Sequence, residues 1–137
     1  MIDEYYMPAE WSHHQRCWMA WPCRDGLWVN PEETCKTYAA VAHAIRDFEP
    51  LRMLVPPHLV GQAHKFLGSD IEVIEMPIDD SWSRDSGPNF VKNKQGKLAG
   101  VCFQFNAWGE KYEIYDQDAQ MAERILLNAD IPIIKSN

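Results

Sequence analysis

The chain lacks any apolar run near the roughly 20 residues that a membrane-spanning helix needs. Its longest such stretches, Leu98 to Phe103 among them, are far shorter. Its first residues, Met-Ile-Asp-Glu-Tyr-Tyr, have acids where a secretory leader has a basic start and an apolar run. Basic residues are outnumbered, 13 Lys and Arg against 20 Asp and Glu, and the resulting net charge of −7 removes the cationic footprint that phosphate backbones require. The same balance favours cationic partners. Cysteine is scarce: Cys17, Cys23, Cys35 and Cys102 form no CxxC pair and no disulfide framework. His58 and His64 fall on different faces of a helix, and the adjacent His13 and His14 do not converge easily on one ion. These absences predict a cytoplasmic protein with reduced, mostly buried thiols, no metal, no cofactor, and neither membrane nor nucleic acid as a partner.

What is present is globular in character, with 46% hydrophobic and 24% charged residues. Cys17 to Pro22, Cys-Trp-Met-Ala-Trp-Pro, reads as a buried strand ended by Pro22. Asn30 as cap, Pro31 at the first helical position and Glu33 as a capping-box acid predict a helix from Pro31 to Phe48. Its apolar stripe would be Tyr38, Val41, Ala42, Ile45 and Phe48. A strand over Leu51 to Val55, a weaker helix over Pro57 to Phe66 interrupted by Gly61, and a half-exposed strand over Ile71 to Met76 complete a β-α-β-α-β order. Further on, strands at Asn89 to Lys92 and Lys97 to Phe105 are joined by Asn93-Lys94-Gln95-Gly96, a hairpin connection with Gly where φ must turn positive. A helix over Asp116 to Asn128, striped by Met121, Ala122, Ile125, Leu126 and Ala129, leads to a last strand at Ile131 to Ile134. No linker or low-complexity stretch interrupts the chain.

The densest chemistry lies between Asp79 and Pro88: Asp-Asp-Ser-Trp-Ser-Arg-Asp-Ser-Gly-Pro. Gly87-Pro88 ends regular structure, so Trp82 to Asp85 should sit at a strand end, where ligands bind in α/β folds. A carboxylate beside an indole suits a planar cation, since carboxylate oxygens pair with guanidinium N–H groups and the indole offers its π-face. The same residues also suit an internal salt bridge in which Arg84 pairs with Asp79 or Asp80 under a Trp cover. Asn106 and Trp108, between a strand and a helix, fit either the rim of a site or a core position.

Three strings taken in order carry a resemblance: Met7-Pro8-Ala9-Glu10-Trp11 continuing to Trp18-Met19-Ala20-Trp21-Pro22, then the segment from Asp79 to Pro88, then Phe105-Asn106-Ala107-Trp108-Gly109. Together they resemble the agmatine deiminase family and, more widely, the bacterial-type peptidylarginine deiminases. The resemblance implies an α/β fold, a partial pentein (α/β propeller) built from ββαβ units, about two of five. Residues 1–137 would then be the N-terminal part of a single pentein catalytic domain that continues past Asn137. It implies a hydrolase that converts agmatine to N-carbamoylputrescine and ammonia through a covalent cysteine intermediate, in putrescine and polyamine biosynthesis. Asp85 becomes the catalytic, guanidinium-holding carboxylate and Trp82 a wall of the site, with Asn106 and Trp108 as further substrate contacts. The expected partner is a small cationic guanidinium substrate, with self-association left open.

The departures are informative. The family's cysteine nucleophile lies in a Gly-Gly-rich string near its C-terminus and its histidine in mid-chain, and neither string occurs here. The four cysteines present are expected to be inert, and the chain by itself inactive. His13 stands where the family often has proline before the histidine matched by His14, and Glu110 stands where a second glycine commonly follows Gly109. Two alternatives remain beside the agmatine reading: a peptidyl- or free-arginine deiminase, and a module that binds a guanidinium or amine without turnover.

Overall fold

Asn30 and Pro31 begin the longest helix in the way their chemistry dictates. The computed structural model describes residues 4–136, and the chain divides into two compact units, His14–Ser83 and a second made of Met1–His13 with Arg84–Asn137.

In the first unit β1 (Cys17–Ala20), α1 (Pro31–Arg46), β2 (Leu51–Val55), α2 (Val60–Leu67) and β3 (Glu72–Glu75) follow one another, and the strands form a wholly parallel sheet in the order β1-β2-β3. Parallel neighbours need a crossover connection, which α1 and α2 supply. β2 is central and nearly all apolar: Leu51, Met53, Leu54 and Val55 are at most 2% exposed, each burial contributing about 1.5–3 kcal/mol. Leu51, Met53 and Val55 join Trp21, Cys35, Ala39, Ala42, Ala63 and Leu67 in one core.

Several boundaries differ from the sequence reading. The Asn30 side chain caps α1 by accepting the Glu33 N–H at 3.3 Å, but the Glu33 carboxylate turns to Lys36, 2.8 Å away, instead of closing a capping box. The buried face of α1 is Cys35, Ala39 and Ala42 with Tyr38 and Ile45 beside them, whereas Val41 is exposed and Phe48, beyond the helix end, is 91% exposed. β1 is an edge strand, so Cys17, Trp18 and Met19 are only half-buried and burial begins at Ala20 and Trp21. Gly61 falls in the first turn of α2 and does not interrupt it.

α3 (Ser83–Ser86) is a single turn at the passage into the second unit. There β4 (Asn89–Lys92) and β5 (Leu98–Cys102) form an antiparallel hairpin, α4 (Ala107–Glu110) is a short turn, and α5 (Met121–Asn128), entered through a 3₁₀ turn, leads to β6 (Ile133–Lys135), parallel to β5. Strand, strand, helix, strand is thus realised, with the sheet order β4-β5-β6. Asn93 sets the hairpin: its Oδ1 accepts the N–H groups of Gln95 and Lys97 at 3.0 and 2.9 Å, and Gly96 takes φ +80°, which costs glycine little. β5 ends at Cys102, three residues short of the expectation. Gly100 is where α5 approaches the strand so closely that a Cβ would overlap the fully buried Leu126 side chain. The N-terminal segment also contributes, Tyr6 exchanging two backbone hydrogen bonds with Lys92.

Candidate active site

Two aspartates of the 79–88 segment have opposite environments. In the first unit Asp80 is 1% exposed. Its Oδ2 accepts the Arg24 Nε–H at 2.7 Å and its Oδ1 the Ser81 N–H at 2.8 Å. A carboxylate survives burial only when such donors replace its water. The Ser81 hydroxyl lies 2.9 Å from that of Tyr38 on α1. Trp28 packs edge-on to Tyr38 at 6.1 Å and tilted against Trp82 at the same distance. Asp80, Ser81 and Trp82 are therefore each tied to α1 or to the loop before it, and Trp82 stays 39% exposed.

Asp85, on α3 in the second unit, is exposed. Its Oδ1 accepts the indole N–H of Trp108 at 3.3 Å. Among the described residues no cationic side chain is ion-paired to it. Arg84 does not pair with Asp79 or Asp80 as the internal salt-bridge reading had it. It donates to Glu10 Oε1 at 2.6 Å, both side chains exposed, because the buried Asp80 is already taken by Arg24.

Trp108 is held by an unusual backbone. Ala107, Trp108, Gly109 and Glu110 have φ of 53°, 56°, 82° and 61°, one turn of left-handed helix, which costs roughly 1–2 kcal/mol per non-glycine residue and occurs mainly where surroundings enforce it. The Asn106 side chain caps this turn, accepting the Gly109 N–H at 2.9 Å. Phe105 meets the Trp108 ring edge-on at 5.2 Å, and Tyr112 at 6.0 Å. Trp108 is 44% exposed among the described residues. Asn106 shapes the turn that carries Trp108, and Trp108 reaches Asp85.

Three of the four thiols are held protonated. Burial, then the Glu49 hydrogen bond and charge, push Cys17 up to about 12. Burial first and Glu32 second raise Cys35. Cys102 is raised by burial and Glu123, against Lys135. A cleft of about 120 Å³ in the first unit is lined by Arg24, Trp28, Cys35 and Gln62 among others. Nothing along the chain signals the Arg24–Asp80 pair, 56 residues apart; the density of the 79–88 segment marks one partner but not the other.

The family model described as Porphyromonas-type peptidyl-arginine deiminase matches residues 6–137. The chain belongs to that family. A candidate agmatine deiminase of Legionella pneumophila is 43% identical over 125 residues, covering 89% of this chain and 36% of that protein. One of Streptomyces coelicolor is 38% identical over 136 residues, covering 96% and 40%. A solved agmatine deiminase of Enterococcus faecalis superposes with a TM-score of 0.92 at 32% identity, covering 97% of this chain and 38% of the other. The architecture is accordingly the partial pentein expected, and the chain spans about two fifths of the length of these relatives. Among the described residues no helix is long and apolar enough to cross a membrane.

Proposed function

We propose that this chain is the N-terminal part of an agmatine deiminase catalytic domain, and that Asp85 holds the guanidinium group of the substrate. The observation that carries the reading is an exposed carboxylate in the Trp-Ser-Arg-Asp string. Its charge is neutralised by no ion pair among the described residues, while an indole N–H orients one of its oxygens. Guanidinium is a poor electrophile because its charge is delocalised, so fixed anions that orient it and a covalent nucleophile that divides the reaction are both needed. Asp85 supplies the first. Trp82, Asn106 and Trp108 are proposed substrate-binding residues, the two indoles as flat apolar walls and Asn106 through the turn it caps.

In the proposed reaction a cysteine thiolate from outside these 137 residues attacks the guanidinium carbon and ammonia leaves. Water then cleaves the carbon–sulfur bond, giving N-carbamoylputrescine and restoring the thiolate. The raised Cys17, Cys35 and Cys102 thiols are unsuited to that role. Free cysteines support a reducing, cytoplasmic setting, and the product points to polyamine biosynthesis.

The test is ammonia release by the protein that carries this chain, with agmatine, arginine and peptidylarginine as competing substrates. Preference for agmatine supports the reading. Preference for either arginine form would replace it with the related deiminase activity, and saturable agmatine binding without ammonia would replace it with a binding module.

A further inference from the structure

We infer that His14, Cys17 and Glu49 form a binding site for one zinc ion. The His14 Nδ1, the Cys17 Sγ and a Glu49 carboxylate oxygen all lie within 4.8 Å of one another. Cys17 Sγ–H donates to Glu49 Oε1 at 2.8 Å, and His14 Nδ1 is 3.3 Å from each Glu49 oxygen. With zinc bonds of about 2.0–2.3 Å at tetrahedral angles, neighbouring ligand atoms stand roughly 3.2–3.8 Å apart. The His14–Glu49 spacing falls in that range, the Cys17–Glu49 spacing of 2.8 Å is shorter and the His14–Cys17 spacing lies within 4.8 Å, so side-chain rotations would bring the three donors onto one ion.

Backbone structure holds the ligands in place. Cys17 opens β1, pairs with Leu51 of β2 and donates its N–H to Pro50 O at 2.9 Å. Glu49 follows α1 and donates its N–H to Ile45 O at 3.0 Å. The β1–β2 register therefore sets Cys17 beside Glu49, and His14 reaches the same point from three residues ahead. The His14 side chain is 45% exposed and that of Glu49 22%, leaving a path for the ion and room for water as fourth ligand. One nitrogen, one sulfur and one oxygen donor suit zinc, whereas magnesium and calcium take oxygen ligands.

On binding, the Sγ–H bond is replaced by an Sγ–Zn bond and the proton passes to solvent. His14 coordinates through the Nδ1 lone pair as the Nε2–H tautomer, Glu49 through one carboxylate oxygen, and no oxidation state changes. The ion would clip the start of β1 to the end of α1 and stabilise the folded chain by mass action.

The test is titration of the metal-free chain with Zn²⁺ and Co²⁺, read by calorimetry and absorbance. Expected are one equivalent of zinc bound, a rise in melting temperature, and a thiolate-to-cobalt charge-transfer band. Cys17→Ser should abolish the band and weaken zinc binding at least tenfold, while Cys23→Ser and Cys102→Ser keep both. Should Cys17→Ser disturb β1, His14→Ala, at a half-exposed side chain, serves as the second variant and should weaken binding comparably. Absence of the band in the unaltered chain, or undiminished zinc affinity in His14→Ala, overturns the assignment.

Discussion

Asp80 and Asp85 share a segment of ten residues but not a task. Asp80 is closed off from solvent with Arg24 and the Ser81 amide on its oxygens, so its charge is satisfied inside the fold. Asp85 stands in solvent with one indole N–H and no ion pair among the described residues, so its charge is available to a ligand. A carboxylate's partners, and not its place in a motif, thus govern whether its charge is satisfied inside the fold or left facing solvent. Removing one member of a buried, paired charge is costly because it strands the other, whereas an unpaired exposed one contributes little to stability and can meet a cation.

The largest effect is expected from Asp85→Asn, which keeps volume and removes charge. In the protein carrying this chain, kcat/KM for agmatine should fall about 10²–10³-fold, while the melting temperature barely moves because surface changes usually stay within about 0.5 kcal/mol. Unchanged kcat/KM would make Asp85 structural and erase its contrast with Asp80. Asp80→Asn should do the converse, lowering unfolding free energy in urea by about 3 kcal/mol because the Arg24 guanidinium loses its counter-charge. Adding Arg24→Met should recover part of that loss, and no recovery would show that the pair is not the cause.

The same opposition of filled and open surroundings recurs in the second unit. Gly100→Ala would force a methyl group into the buried Leu126 side chain, with an expected loss of about 2 kcal/mol from overpacking, measured by urea midpoint. Glu110→Gly should act the other way, stabilising by about 0.5 kcal/mol, since glycine relieves the strain at φ 61° but adds entropy to the unfolded chain. Smallest of all is Arg84→Ala: its pair with Glu10 is exposed at both ends, and double-mutant cycles with Glu10→Ala should return under about 0.5 kcal/mol.

Elements with local causes were legible in the sequence. Asn30-Pro31, the Asn93–Gly96 connection and the stripe Met121, Ala122, Ile125, Leu126 carry their own capping, turn and periodicity signals, and the structure places a helix, a hairpin and a helix there. The exposure of Phe48 and Val41 was not legible, because the 3.6-residue period selects a face only to within a residue or so. The tightness of the 107–110 turn was visible only as Glu110 standing where the family often has glycine. The positive φ there is a conformation that glycine takes at little cost.

Residues close together in the chain were enough to specify the alternation of strands and helices, the family strings, and Asp85 as the carboxylate to watch. Other pairings exist only in the folded chain: Arg24 neutralises Asp80, Arg84 turns to Glu10, Trp108 reaches Asp85 across 23 residues, and Glu49 meets His14 and Cys17. One cause underlies all four. A side chain's partner is set by strand register, helix ends and burial, which bring together residues that no spacing along the chain connects.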